Sequence, residues 1–483
     1  MSSIDPSMVL AILPEIGLVI LALIVLAFDL SVGEDRKRAL GWLTAGGLAV
    51  IFILNLALAR PGTSSVPVWG GMLHWDWLGF TFANLFIFGA AVTSLFAMEV
   101  KQLGRRGEFY LLLLASTLGM CLMAASADLI MLFLAIETTS IPLYVLAGFY
   151  KTDNKSTEAG FKYLLFGALT SAVMLYGFSL LYGFTGTTDL YQITAAAQSG
   201  ALPLSLALGT LILVLVGFGF KISAVPFHFW APDVYEGAPS PITAFMSVGV
   251  KAAAFAALLR VFSGSLAGLD AHWRELLWLG SVLTMTLGNV TALLQNNIKR
   301  MLAYSSIAHA GYILIGVVAG GEMGTAAVLY YLLVYTLMNI GAFAVVIAIE
   351  KKDDQQLNIR DYAGIGSRHP ALGVAMAIFM FSLAGIPPLS GFMGKFYIFS
   401  AAVKAGYIGL TIIGVLNSLI SVYYYLRITV MMFMTEPEGE PAAVIFQPAV
   451  IIVLVIAVFF TLQMGLFPAT YLQLAKSSIK LFL

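Results

Sequence analysis

An all-α, multi-pass membrane protein is the fold class this sequence predicts, and three observations predict it. Of its 483 residues, 60% are hydrophobic and only 10% are charged, with a mean hydropathy of +0.94; a soluble domain carries about 25% charged residues. Windows of about 20 apolar residues, long enough to cross a hydrocarbon core, recur along the whole chain with short separators. Two of these windows overrun a single straight crossing and carry prolines near their middle.

Taken in order, the windows place spans at 8–28, 39–59, 78–98, 109–126, 128–150, 160–183, 204–235, 241–262, 273–295, 300–319, 325–349, 371–403, 406–434 and 444–466. That makes fourteen transmembrane helices in a single integral membrane domain covering 1–483. The start, Met1-Ser2-Ser3-Ile4-Asp5-Pro6, lacks the positive region of a cleaved signal, so the first span is expected to stay as an anchor. Lysines and arginines set orientation. With the N-terminus outside, fourteen of the 25 fall in inside loops and six in outside segments, Arg60 and Arg260 among the latter. Both termini are therefore expected on the outer face.

The stretch 204–261 organises the rest. It is apolar, yet it holds Lys221, His228, Asp233, Glu236 and Lys251, interleaved with Pro226, Pro232, Pro239 and Pro241. A lysine at the bilayer centre costs roughly 2.5–3.5 kcal/mol on the insertion scale and turns to a bundle interior or a hydrated cavity. A proline at that depth removes a backbone hydrogen bond, and broken backbone persists there only inside protein or beside water. Span 371–403 repeats the arrangement: Gly385-Ile386-Pro387-Pro388-Leu389-Ser390-Gly391, then Lys395. The two broken helices lie five spans apart, so they run in opposite directions. Two inverted five-helix repeats are expected, 109–262 and 273–434. A polar residue precedes each lysine at similar spacing, Glu137 by 84 positions before Lys221 and His309 by 86 before Lys395.

The deep charges point to proton transfer. Glu137 lies roughly 14 Å into its span at 1.5 Å per residue and needs a partner or a proton; Lys221 is the expected partner. A buried pair of this kind is weak evidence for stability, and burial and a neighbouring carboxylate push a lysine pKa in opposite directions. The pair therefore reads as a switch. Lys251, among small neighbours that allow close helix packing, is the expected next acceptor, and Lys395 the last. Lys162 lies nearer a loop, where it could snorkel. His228 and His309 titrate near neutral pH and are candidate relays, though a lone membrane histidine is often only hydrogen-bonded. Pro226, Pro387 and Pro388 mark the helix breaks. Arg427 reads as an interfacial anchor.

Other chemistry is not legible. The single cysteine, Cys121, excludes an internal disulfide and a self-contained iron–sulfur cluster. Equal numbers of acidic and basic residues imply no nucleic-acid surface. No phosphate-cradling glycine loop, metal-ligand set or haem motif appears, so no cofactor or metal is expected in this chain.

The run Phe220–Pro239, the run Asn297-Ile298-Lys299-Arg300 through Ser305-Ser306-Ile307-Ala308-His309-Ala310-Gly311-Tyr312, and Gly385–Phe392 resemble the motifs of the antiporter-like membrane subunits of complex I. The resemblance covers essentially the whole chain. It implies a non-redox subunit of NADH:quinone oxidoreductase that translocates protons while quinone is reduced elsewhere. Flavin, iron–sulfur clusters and quinone would belong to partner subunits, and the partners would be other membrane subunits, including sister antiporter-like ones, in a bacterial inner membrane with both termini periplasmic. Motif positions carry over as Glu137 and Lys221 for the switching pair, Lys251 for the centre, Lys395 for the exit, and Lys162 within the chain. One sister subunit carries glutamate where this sequence has Lys395; another continues into a lateral helix not expected here. Two alternatives stay open: a subunit of a multisubunit cation/proton antiporter, and a scaffold whose charges only hold helices together.

Overall fold

The computed structural model describes residues 6–63, 65–100, 102–198, 204–266, 269–350, 357–437, 444 and 447–479. Lys101, Lys351, Lys352 and Lys480, all used in the orientation count, lie outside these residues, as does the N-terminal 1–5.

After a short helical stretch, Pro6–Ala11, come α1 (Leu13–Ser31), α2 (Ala39–Leu58), α3 (Trp77–Ala97), α4 (Gly107–Ala125), α5 (Leu129–Ala147) and α6 (Asn154–Thr185). A short α7 (Leu190–Gln198) precedes the first broken span, which divides into α8 (Leu204–Lys221) and α9 (Trp230–Gly237). A continuous helix, α10 (Ser240–Gly264), follows, then α11 (Asp270–Leu293), α12 (Ile298–Ala319) and α13 (Gly321–Ile349). The second broken span divides into α14 (Pro370–Ala384) and α15 (Ser390–Lys404), and α16 (Ile408–Met434), α17 (Pro448–Leu466) and α18 (Pro468–Ile479) complete the chain. Among the described residues thirteen helices are long and apolar enough to cross a membrane. The expected single span 371–403 is instead two helices of 15 residues each, neither of which meets that length.

Local chemistry sets the helix starts. Asp76, Asp128, Asp153 and Asn297 each stand one residue before a helix, and each side chain accepts from a backbone N–H of the first turn, groups that have no partner within the helix. Glycines allow close approach: a Cβ on Gly288 would stand 2.7 Å from the backbone nitrogen of Ala308, so α11 and α12 pack almost backbone to backbone.

Burial sorts the helices into an inner and an outer set. In the apolar stretch of α10 every residue is buried, and in that of α12 94% are, whereas the share is only 28% in α1 and 33% in α16. The enclosed helices carry Lys251, His309 and the small residues Ala252, Ala253 and Ala254. The outer ones present Leu, Ile and Phe side chains outward, as lipid requires. The chain is a multi-pass, nearly all-helical membrane protein.

Several features depart from the sequence reading. A two-stranded hairpin, β1 (Val66–Val68) with β2 (Leu73–Trp75), interrupts the all-α pattern. It is stitched to the α4–α5 turn by Ala127 N–H donating to Met72, and that turn is stitched to 188–190 by Leu129 N–H to Thr188 and Leu190 N–H to Ala127. Helix α10 winds as π-helix over Met246–Val250 and again over Arg260–Ser265. Arg260, expected in an exposed outer segment, is 2% exposed. Its Nη2 and Nη1 donate to Asp76 Oδ1 and Oδ2 at 2.7 and 2.8 Å, and its Nε donates to the Ala124 carbonyl. Lys299, expected in a loop, is buried and donates to the Ala238 carbonyl at 2.7 Å. Depth near a span end could not be read from sequence, because an apolar window does not say how far a folded neighbour covers it. Arg427, expected as an interfacial anchor, donates to Gln295 O and Asn296 Oδ1 in the turn between α11 and α12.

Candidate functional site

The first break spans 222–229, with Pro226 inside it. Ser223 there has φ +60. Partners outside the helix ladder satisfy the interrupted backbone: Thr284 Oγ1 accepts from Val225 N–H, and the Phe220 carbonyl accepts from Trp230 Nε1. Lys221 ends α8 just before this break and is 4% exposed. Its Nζ donates to Ser140 Oγ at 2.5 Å and lies 5.9 Å from the centre of the Tyr144 ring.

The direct Glu137–Lys221 pair expected from sequence is not formed. No ion pair joins them among the described residues; Glu137 is half-buried, and its Oε1 is enclosed without a hydrogen-bond partner. Ser140, one turn along α5 from Glu137, takes the lysine instead. The two charges still lie within electrostatic reach. Sequence fixes depth along a helix, not the direction a side chain takes around it, and the serine was therefore invisible.

Lys251 sits at the centre, 1% exposed, immediately after the first π-helical segment. Its Nζ donates to the Ser306 carbonyl at 2.7 Å and to Ser306 Oγ at 2.5 Å. The preceding residue on α12, Ser305, hydrogen-bonds the hydroxyl of Tyr425. His309, 1% exposed, is bridged by two tyrosines, with Nε2 3.0 Å from Tyr425 Oη and Nδ1 2.7 Å from Tyr331 Oη. Its electrostatic neighbours are Lys251 and Lys395. The predicted relay histidine thus lies between the predicted central and exit lysines.

Lys395 is held by the second break. Its Nζ donates to the carbonyls of Leu383 and Ala384 at 3.1 and 2.8 Å, to Ser418 Oγ at 2.8 Å, and lies 5.0 Å from the Tyr312 ring. Those carbonyls belong to the last turn of α14, which Gly385 and the Pro387–Pro388 pair terminate. Unpaired carbonyls and the negative end of the helix dipole make that terminus a cation site. A groove of about 690 Å³ opens beside it, lined by Lys395, Lys404, Phe396 and Ser418 among others.

Two predicted residues lie elsewhere. Lys162 does not reach Lys221; its Nζ is 2.6 Å from both Glu158 and Asp233. Asp233 also takes Arg300 at 2.7 Å, and Glu236 takes Arg300 at 3.0 Å and Lys155 at 3.1 Å. This half-exposed network ties α9 to α6 and α12. His228 is buried with its Nδ1 unpartnered and its ring tilted against Phe229; among the described residues no hydrogen bond joins it to a lysine. The residues that sequence missed are hydroxyls: Ser140, Ser306, Ser418, Tyr331 and Tyr425. Serine and tyrosine are unremarkable in apolar spans; only Ser140 and Ser306, one helical turn from Glu137 and His309, could have drawn notice by spacing, whereas Ser418, Tyr331 and Tyr425 come from other helices.

Comparison with known proteins fits this geometry. The family profile described as NADH:quinone oxidoreductase/Mrp antiporter, transmembrane, matches residues 126–421, which include Lys162, Lys221, Lys251 and Lys395. A protein of Trichlorobacter lovleyi called NADH-quinone oxidoreductase subunit N is 46% identical over 97% of this chain and 96% of its own length. A chain of respiratory complex I from Thermus thermophilus superposes with a TM-score of 0.80 at 35% identity, covering 96% of this chain and 99% of that one. A chain of the Mrp complex from Dietzia shares the fold, with a TM-score of 0.86 at 22% identity over 99% of this chain and 97% of its own. With a profile covering more than half its length and a relative matched from end to end, the chain belongs to the NADH:quinone oxidoreductase/Mrp antiporter membrane family.

Proposed function

We propose that this chain is a proton-translocating membrane subunit of NADH:quinone oxidoreductase. Protons pass along Lys221, Lys251, His309 and Lys395, with Glu137 biasing Lys221. The observation that carries the reading is the setting of the three deep amines. Each is at most 4% exposed, each donates to a hydroxyl, and none is locked in an ion pair among the described residues. A lysine so held can release a proton and keep its hydrogen bond, as an amine held by a carboxylate cannot do without leaving a buried charge behind. The two broken helices are equivalent members of two inverted repeats, 109–262 and 273–434, within fourteen spans, and both termini face the periplasm of a bacterial inner membrane. Flavin, iron–sulfur clusters and quinone reside in partner subunits, beside sister antiporter-like ones.

The shared fold with the Mrp chain supports a second reading, a subunit of a cation/proton antiporter. Purification from native membranes separates the two. Copurification with flavin and iron–sulfur subunits supports the first; sodium-dependent proton exchange without them supports the second. Within the first reading, Glu137→Ala and Lys221→Ala are expected to leave subunit content normal and to lower NADH-driven proton pumping. Full pumping by both variants would leave only a scaffold.

A further inference from the structure

Between the ion network and Lys221 lies a layer of buried aromatic rings. Lys162 precedes Tyr163, whose ring stacks on Trp230 at 4.5 Å and meets Tyr144 edge-on at 4.9 Å. Phe220, beside Lys221, packs on both Trp230 and Tyr163. This layer has no charge, so a proton moving from the network to Lys221 needs a hydroxyl within it. Tyr144 offers one. It is 5% exposed, its ring lies 5.9 Å from Lys221 Nζ, and it stands one turn along α5 from Ser140, the acceptor of that lysine. Its hydroxyl is enclosed, forms no hydrogen bond of full geometry, and has Ser140 as its side-chain neighbour. Room for it exists only because residue 167 is glycine: a Cβ there would stand 2.2 Å from Tyr144 Oη. A buried hydroxyl short of a full hydrogen bond costs up to about 1–3 kcal/mol, and phenylalanine would fill the same ring site without that cost.

We propose that Tyr144 is a further relay residue, carrying protons between the Lys162–Asp233 side of the chain and the Ser140–Lys221 pair. A proton delivered by water from the network bonds to Tyr144 Oη as the proton already there leaves for Ser140 Oγ. The Ser140 proton, donated to the Ile136 carbonyl in this structure, turns away from it and passes to the neutral amine of Lys221. Each oxygen ends with one proton, the charge arrives on Lys221, and rotation of the hydroxyls resets the path.

The inference rests on the proton-transfer reading, and the test keeps the two apart. In membrane vesicles holding the intact complex, NADH-driven pumping is measured for Tyr144→Phe beside Lys221→Ala. A lost relay hydroxyl is expected to slow pumping by about tenfold or more at unchanged subunit content, and to change the ratio of rates in H2O and D2O, which a packing role does not move. Fluorotyrosine at position 144 keeps the ring and the hydroxyl but makes it more acidic; it is expected to shift the pH profile of pumping, and it serves should the phenylalanine variant assemble poorly. Normal rate and isotope ratio in Tyr144→Phe, or an unshifted profile with fluorotyrosine, overturns this inference while an impaired Lys221→Ala leaves the wider reading standing. Normal pumping by Lys221→Ala overturns both.

Discussion

Lys221 gives its hydrogen bond to Ser140 and not to Glu137, although the two acceptors lie one turn apart on the same helix. A neutral acceptor holds the ammonium without neutralising it, and a carboxylate stands in reserve. Under the proposed function the lysine would have two settings, with the energy between them set by one hydroxyl. Hydrogen bonds to charged groups contribute about 1.5–3 kcal/mol. Ser140→Ala is expected to keep the complex assembled and to lower the pumping rate roughly tenfold, each 1.36 kcal/mol being one decade. Pumping in vesicles of matched subunit content checks it, and an unchanged rate would remove Ser140 from the path.

Lys221→Arg tests whether the site must release its proton. Arginine keeps the charge and the donors but is not deprotonated in proteins. The expected outcome is pumping as poor as in Lys221→Ala with normal assembly. Wild-type pumping by the arginine variant would mean that charge alone suffices there.

The second break makes a separate prediction through glycine. Gly385 has φ +88, a conformation that a side chain resists by about 1–2 kcal/mol. An added Cβ would also stand 2.9 Å from Lys395 Cδ. Gly385→Ala is expected to push the lysine from the carbonyls of Leu383 and Ala384, cutting pumping while subunit content falls only modestly. Comparison with Lys395→Ala checks the route: the double variant should be no worse than the lysine variant alone.

Arg260 and Asp76 call for a different outcome. Both side chains are 1% exposed, and removing one partner of a buried pair costs about 3–5 kcal/mol because the other charge is stranded. Asp76→Asn and Arg260→Met are each expected to lower subunit content in membranes, read by immunoblot. Replacing both, Arg260→Met with Asp76→Leu, is expected to recover much of it. A double variant worse than either single one would assign the pair a role beyond mutual neutralisation.

Much of this was readable in the sequence, and what was not has a physical cause. Apolar windows located the helices because lipid leaves backbone no other way to satisfy itself. Prolines located the breaks at 222–229 and 385–389, and the cost of burying an amine picked out Lys221, Lys251 and Lys395. The hydroxyls that hold those amines escaped notice because serine and tyrosine bury cheaply in any helix. Lys162 entered the line through the family resemblance although it lies near a loop; Glu158 and Asp233, the latter brought round by the broken helix, hold it. Arg260 looked like an outer-loop residue, because the hairpin and α3 that enclose it are far away in sequence.

The enclosure of Lys251 within α10 has a consequence for how the protein is made. This helix enters the bilayer before Lys251 has either of its hydrogen-bond acceptors, since α12, which supplies Ser306, is synthesised later. Its hydropathy of 1.8 allows it to insert alone, so the lysine waits in the membrane until its serine arrives. Nascent chains halted before Ile298 should therefore be the stage at which this protein depends most on chaperones or is most readily degraded.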